Sequence, residues 1–173
     1  STLENFLKAA ELIPDFAIIG PHIQEKKDEN NKTNFKKSLP VLVNNVKGFA
    51  MFLNLSEFKD VGFFDENFFI YFEEIDLCRR LTNVNKKIFL SPLIKINHLG
   101  AQSHDESINK NMELSRNWHW MWSTFYYHRK HKGFLIAFIT ILPQLFSAII
   151  KMTIYSLSSC SRIFDNSSTQ FIT

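Results

Sequence analysis

The sequence predicts an α/β domain followed by a long apolar helix. Short apolar runs of strand length alternate with segments whose apolar residues recur at helical spacing. Turn-forming residues, such as Gly20-Pro21, separate several of these segments. An almost uncharged apolar stretch then extends from Leu135 to Leu157. The 173 residues suffice for one domain with a core and are too few for two large ones.

The bulk composition is that of a folded protein, with 45% hydrophobic and 21% charged residues. The net charge of +3 is small, so composition gives no reason to expect a nucleic-acid partner. The two cysteines, Cys78 and Cys160, have neither a metal-binding nor a disulfide-type spacing. This indicates reduced thiols in a cytosolic compartment.

The N-terminal part predicts one helix, one strand and one loop. Apolar residues at helical spacing predict an amphipathic helix from Leu3 to Leu12, which Pro14 would stop. Phe16 to Ile19 then predicts a buried strand that ends at Gly20-Pro21. The segment from Gln24 to Ser38 is almost wholly polar, which predicts a solvated loop.

Between residues 46 and 97 the sequence predicts strands, turns and one helix. The helix begins near Glu73, after a run of aromatic residues. The last strand alternates apolar with polar residues, so we expect one of its faces to be buried. The remaining predicted elements are a strand at Val46 to Leu55 around Gly48, a short helix or turn at Ser56 to Val61, a turn at Asn83 to Lys86, and strands at Lys87 to Leu90 and Leu93 to Asn97 on either side of Pro92.

The C-terminal part predicts an aromatic-rich helix from Asn109 to His131 and then the apolar stretch. Counted through Lys151, that stretch reaches the ~20 residues of a spanning helix, with Pro143 as an expected kink. The basic run from His128 to Lys132 suits either a positive-inside anchor or a helix lying on an anionic leaflet. A buried core helix is the alternative. The expected divisions are residues 1–132, a hydrophobic helix at 133–157, and a loose polar tail at 158–173.

The most informative segment runs from Gly62 to Arg80. Aromatic residues lead into three carboxylates within four residues, Glu73, Glu74 and Asp76, and two arginines follow. Carboxylates beside apolar surface are costly unless they are paired, bound to a cation or used in chemistry. In the first turn of a helix the macrodipole favours them and keeps them ionised, as a general base must be. The same spacing also describes an ordinary helix start with surface carboxylates, in which Asp76 pairs with Arg80.

Two motifs resemble those of the family-two glycosyltransferases, most closely their rhamnosyltransferase-like branch. The resemblance covers Leu3 to Lys132 and implies a GT-A (Rossmann-like) fold, of which this chain holds the C-terminal part. In that family a nucleotide-binding half with an Asp-x-Asp element comes first, and no such half precedes Leu3 here. We therefore expect this chain by itself to lack most of the donor site, either as a fragment of a larger reading frame or as a degenerate gene product. The matching runs are Val46-Lys47-Gly48-Phe49-Ala50-Met51-Phe52, the segment from Val61 to Arg80, and His98-Leu99-Gly100-Ala101-Gln102-Ser103.

The resemblance implies inverting transfer of a sugar from a nucleotide-sugar donor to a saccharide or lipid-linked acceptor in cell-envelope polysaccharide synthesis. The family's Glu-Asp pair holds the catalytic base and falls here on Glu73 and Glu74. Glu74, which stands where the family has Asp, is the leading base. The resemblance also implies Mg²⁺ or Mn²⁺ as the cofactor, since a hard cation offsets the charge of the diphosphate.

Other site residues follow from the same resemblance. Arg79 and Arg80 are expected either to reach phosphate oxygens or to pair with Asp76 or Glu73. His98 is implied as a metal or diphosphate ligand, with a structural role as the alternative. The expected acceptor- and substrate-binding residues are Gly48, Asp65, Glu66, Asp76, Arg79 and Arg80.

Two other functions remain open at this point. The chain is either an enzyme at the cytoplasmic face of the inner or plasma membrane, or a truncated, inactive GT-A remnant that only docks at membranes. A small membrane-associated structural protein is a third possibility. An aromatic group is expected either to stack on sugar or lipid, or to form core or interfacial packing. Its members are Trp118, Trp120, Trp122, Phe125, Tyr126 and Tyr127.

Overall fold

The structure, a computed structural model, describes residues 1–23, 39–96 and 109–169. Within these residues the fold is mixed α/β, with one four-stranded sheet and four α-helices. The chain divides into two compact units, Ser1–His119 and Trp120–Thr173. The α/β class is therefore confirmed. The elements are α1 (Thr2–Leu12), β1 (Phe16–Ile23), β2 (Val41–Val43), β3 (Phe52–Leu53), a short 3-10 helix (Leu55–Phe58), α2 (Glu73–Asn83), β4 (Lys87–Ile96), α3 (Asn109–Lys132) and α4 (Phe134–Thr169).

The sheet of the first unit has the order β2-β4-β1-β3. Its two central strands, β1 and β4, are parallel. The edge strands β2 and β3 each pair antiparallel with a central neighbour. Parallel strands need a crossover connection, and α2 lies within the one that joins β1 to β4. This connection also contains the acidic segment.

Helix α1 covers one face of the sheet. Its N-terminus carries a capping box, in which the Glu4 backbone N–H donates to Ser1 Oγ over 3.3 Å. Phe6 and Ala9 are its buried residues, and they pack in one cluster with Phe16, Ile19 and Ile94 of the strands. The helix ends at Leu12, as the sequence predicts.

Helix α2 packs on the other face. Leu77, Cys78 and Leu81 of this helix are fully buried in a cluster that includes Ile18 and Ile88. Ile18 belongs to this cluster and Ile19 to that of α1, as expected because successive strand residues point to opposite faces. The sheet is therefore the middle layer between two helices.

Strands β1 and β4 are both longer than the sequence predicts. β1 continues through Gly20-Pro21 to Ile23, and the bare Gly20 passes close to another segment. A methyl group on Gly20 would lie 2.5 Å from Val46 Cγ1. β4 is one strand through Pro92, where two were predicted. Its register against β1 shifts after Ser91, and such an irregularity accommodates a proline in a strand.

The segment from Val46 to Leu55 differs most from its prediction. Only Phe52–Leu53 is strand, and Gly48 lies in a turn. The short edge strand Val41–Val43, whose residues are largely exposed, was not predicted. An exposed edge strand has no alternating buried face to reveal it. The 3-10 helix at Leu55–Phe58 agrees with the predicted short helix, and the polar loop from Gln24 to Ser38 lies outside the described residues.

In the second unit α4 is long and apolar enough to cross a membrane. The candidate span is Phe134–Ile154, and 6% of its apolar window is buried, which disagrees with the buried-core alternative. Pro143 lies within the helix. The helix also continues to Thr169, so the prediction of a loose tail from Ser158 is wrong for the described residues. Gly133, at φ 89°, separates α4 from α3.

Candidate functional site

The two leading glutamates lie in the first turn of α2, directly after an unusual stretch of backbone. Tyr71 and Phe72 have φ angles of 69° and 67°, in the left-handed region. Non-glycine residues there cost about 1–3 kcal/mol each and persist only where the surrounding structure imposes them, often at functional sites. The helix then closes normally, with the Asp76 backbone N–H donating to the Phe72 carbonyl over 2.8 Å. Helix α2 therefore starts directly after two residues in the left-handed region.

Both glutamates have a buried carboxylate oxygen that lacks a hydrogen-bond partner in the described part of the chain. These atoms are Glu73 Oε2 and Glu74 Oε2. Buried polar atoms are usually hydrogen-bonded, so two such oxygens on adjacent residues are an exception that calls for a physical reason. Each retains lone pairs that can accept a proton or a hydrogen bond from an incoming group.

Burial raises the pKa of Glu74. Desolvation is the largest cause, and the negative charge of Glu73 acts in the same direction. Backbone hydrogen bonds at Glu74 and Ile75 and the positive charge of Lys47 oppose the rise. From the sequence, the helix N-terminus is expected to keep this carboxylate ionised. Backbone hydrogen bonds at the start of α2 do lower the pKa of Glu74, but desolvation outweighs them.

Gly48 packs directly against the side chain of Glu74. A methyl group at Gly48 would lie 3.2 Å from Glu74 Cβ, 3.4 Å from Cγ and 3.5 Å from Cδ. A methyl group at this position would therefore force the Glu74 side chain to shift by a few tenths of an ångström. In the structure Gly48 lies close to Glu74, the candidate base. A contact with substrate stays a prediction.

Asp76 and Arg80 form a buried ion pair. The Arg80 Nε donates to Asp76 Oδ2 over 2.7 Å, and the two side chains are 19% and 0% exposed. The same guanidinium donates to the carbonyls of Val61 at 2.7 Å, Gly62 at 3.4 Å and Phe63 at 2.5 Å. The sequence left two roles open for Arg80, contact with phosphate or pairing with a carboxylate, and the structure contains the pair with Asp76. Arg80 thereby attaches the loop at residues 61–63 to α2, and a phosphate or substrate role for the pair stays a prediction.

Asp65 organises the turn that follows this loop. Its Oδ1 accepts hydrogen bonds from the Asn67 backbone N–H at 3.0 Å and from Asn67 Nδ2 at 2.8 Å. The Phe68 backbone N–H donates to the Asp65 carbonyl over 3.1 Å, and the Phe68 side chain is buried. Glu66 is exposed and Arg79 is half-buried. The substrate roles of Asp65, Glu66 and Arg79 stay predictions.

Sequence reasoning missed two features of the site. The backbone at Tyr71 and Phe72 has no sequence pattern that would reveal it. Cys78 is fully buried on α2, one turn after Glu74, and the i, i+4 spacing was a clue to their proximity. Burial raises the pKa of the Cys78 thiol, the charge of Glu74 raises it further, and a hydrogen bond from the Val46 backbone acts in the opposite direction.

The implied metal has no established ligand set. The motif that begins at His98 lies outside the described residues. Within residues 1–23, 39–96 and 109–169, His, Cys, Asp and Glu side chains form no group of three that could hold a metal ion. The glutamate pair alone does not make such a site, so the divalent cation stays a prediction and no reaction step is assigned to it.

Comparisons with protein-family models, with curated proteins and with solved structures give no match for this chain.

Proposed function

We propose that this chain is the acceptor-side part of an inverting glycosyltransferase, with Glu74 as the catalytic base. The observation that carries the proposal is the pair of buried carboxylate oxygens on Glu73 and Glu74 that lack a hydrogen-bond partner within the described residues. A base needs a lone pair that no other group occupies, and a pKa raised toward the working pH makes proton transfer more favourable. Glu74 meets the second condition through its burial.

The reaction would proceed in one displacement. Glu74 accepts the proton of an acceptor hydroxyl while that oxygen attacks the anomeric carbon of the donor sugar. The bond from the anomeric carbon to the nucleotide diphosphate breaks, the diphosphate departs with the electron pair, and the configuration inverts. A divalent cation, when bound, would offset the charge of this leaving group.

Several contacts support the roles of the neighbouring residues. Gly48 restricts the Glu74 side chain from one side. Arg80 and Asp76 hold the loop at residues 61–63 against the same helix. A base is effective only when its geometry is maintained, and displacements of about 1 Å can lower a rate by about two orders of magnitude. We infer that these residues position the base.

The decisive experiment compares Glu74→Gln with Glu11→Gln, an exposed position on α1. The full natural reading frame that encodes this chain is incubated with radiolabelled nucleotide sugars and membranes, and label in lipid or polysaccharide is counted. General bases contribute about 10²–10⁴-fold, so Glu74→Gln should remove at least about 99% of transfer while donor binding is retained. Glu11→Gln should behave as wild type. Unchanged turnover of Glu74→Gln would exclude Glu74 as the base.

A second candidate function is an inactive membrane-docking module. The span-length helix at Phe134–Ile154 favours membrane association whether or not the site is active. The glutamate at residue 74, one methylene longer than the family's aspartate, favours inactivity. Membrane retention of the wild type with no transfer from any nucleotide sugar would support this candidate over the enzyme.

The proposed location is the cytoplasmic face of the inner or plasma membrane. Basic residues precede the candidate span, and Lys and Arg concentrate on the cytoplasmic side of membrane helices. Protease protection of intact cells or spheroplasts tests this orientation, because residues 1–132 should be cleaved only after the membrane is opened.

A further inference from the structure

We propose that the last turn of α3 binds the headgroups of anionic lipids where the apolar helix α4 enters the bilayer. The partner is the anionic leaflet itself, and the proposal does not depend on glycosyl transfer. The residues that carry it are Arg129, Lys130 and Lys132, all exposed and all in the last turn of α3.

The charge of the second unit is strongly one-sided. Residues 120–173 contain five Lys or Arg residues and a single acidic residue, Asp165. The chain has no Asp or Glu from Leu114 to Phe164. The C-terminal end of a helix also carries a partial negative charge, which favours cations at this position. The second unit therefore presents a concentrated positive charge at one defined place.

The basic turn adjoins the apolar helix with one residue between them. Gly133, at φ 89°, ends α3, and its backbone N–H donates to the Arg129 carbonyl over 3.3 Å. The Gly133 carbonyl then accepts from the Ala137 backbone N–H over 3.2 Å, which begins α4. Phe134, the first residue of the candidate span, is largely exposed. Positive charge and exposed apolar surface thus meet at Gly133, as they do where a bilayer passes from headgroups to acyl chains.

The dimensions of the apolar segment fit a bilayer. Its 21 residues, at ~1.5 Å per residue, extend over ~32 Å, against ~30 Å for a hydrocarbon core. Lys151 lies three residues before the end of the span, where its long side chain can reach the opposite interface. On the basic side, the exposed Trp122 stacks with Tyr126 one turn away, and such aromatic residues are enriched at membrane interfaces.

A second copy of the chain would bind this surface less favourably than an anionic leaflet. Two copies packed side by side with the same orientation would bring their basic turns together, which costs free energy without counter-charge. An anionic leaflet supplies that counter-charge and covers the apolar helix as well. Charge complementarity therefore selects the anionic bilayer.

The test measures flotation of the full chain, diluted from detergent, with vesicles of phosphatidylcholine alone or with about 30% phosphatidylglycerol. Each basic residue near an anionic surface strengthens binding by about fivefold, so three should lower the lipid concentration for half-flotation by about 100-fold. The variant Arg129→Gln/Lys130→Gln/Lys132→Gln should float equally with both kinds of vesicle. High salt should reduce the wild-type preference by screening.

The matched control removes the same charge from the first unit. Lys8→Gln/Lys59→Gln/Lys95→Gln changes three exposed lysines and should keep the full preference for phosphatidylglycerol. Equal flotation of the wild type with both vesicles would overturn the proposal. So would an equal loss of preference in the two triple variants, because it would assign the effect to net charge. A wild type that forms stable oligomers in detergent and does not float would identify a second copy as the occupant.

Discussion

Replacing Asp76 with asparagine should destabilise the first unit far more than the same change at an exposed ion pair. The Asp76 carboxylate is 0% exposed and lies 2.7 Å from Arg80 Nε. Removal of one partner of a buried ion pair costs about 3–5 kcal/mol, because the other charge remains without its counter-charge. Arg80 is 19% exposed and keeps its bonds to the carbonyls of residues 61–63. Partial solvation and these bonds place the expected loss at the lower end, at ~3 kcal/mol.

Cys78 provides the assay, since its thiol is fully buried in the core beneath α2. In a Cys160→Ser background, pulsed thiol labelling at increasing urea concentration reports the opening of this core alone. With a urea dependence of about 1.5 kcal/mol per molar, a loss of ~3 kcal/mol lowers the midpoint by about 2 M. The matched control is Asp15→Asn, which breaks the exposed pair with Lys87 and should move the midpoint much less. Equal shifts in the two variants would refute the reasoning that burial makes the Asp76 pair important.

Three further predictions concern the glutamate pair and its neighbours. Folding raises the pKa of Glu74, so between the ordinary Glu pKa of about 4.3 and the folded pKa the folded chain binds more protons than the unfolded chain. The stability of the fold therefore falls as pH rises through the folded pKa. Glu74→Gln should therefore be more stable than wild type near pH 7, and the two proteins should be closer in stability near pH 4. A urea midpoint of Glu74→Gln below that of wild type at neutral pH would contradict this. Gly48→Ala puts a methyl group 3.2 Å from Glu74 Cβ, so we expect about a tenfold loss of transfer rate with a small change in urea midpoint, and a wild-type rate would show that the base tolerates displacement. The fully buried Cys78 thiol should resist Ellman's reagent in the native Cys160→Ser protein and react only when the core opens. Glu74→Gln should therefore slow its reaction near pH 7, because the more stable core opens less often, and a faster reaction would contradict the stability prediction.

The acidic segment shows how far local pattern can go. Three carboxylates and an aromatic run predicted a helix start near Glu73, and α2 begins at that residue. The i, i+4 spacing predicted that Asp76 could pair with Arg80, and it does. Neither pattern indicated that Arg80 would also reach the carbonyls of residues 61–63, because those contacts join segments separated by 17 to 19 positions. Spacing along a helix is a local property, whereas such contacts depend on how the loop returns to the helix.

The strand boundaries likewise depend on contacts that the local sequence does not indicate. Gly20-Pro21 and Pro92 were expected to end strands, since glycine and proline weaken a ladder. In the sheet, β1 continues through Gly20-Pro21 and β4 through Pro92, and a register irregularity between the two strands leaves room for proline. Whether a strand continues past a glycine or proline depends on the strands that pair with it, and the local sequence does not indicate which strands those are.

The sequence by itself determined the α/β class, the limits of α1, the start of α2, and the apolar helix beside its basic turn. These features depend on periodicity, capping and composition, which act over a few residues. Only the tertiary structure decided the strand order, the burial of Asp76, and the protonation behaviour of Glu74. The helix N-terminus favours ionised Glu74, but packing around the side chain removes water and raises its pKa. Desolvation depends on every segment that surrounds a group, so it exists only once the chain has folded.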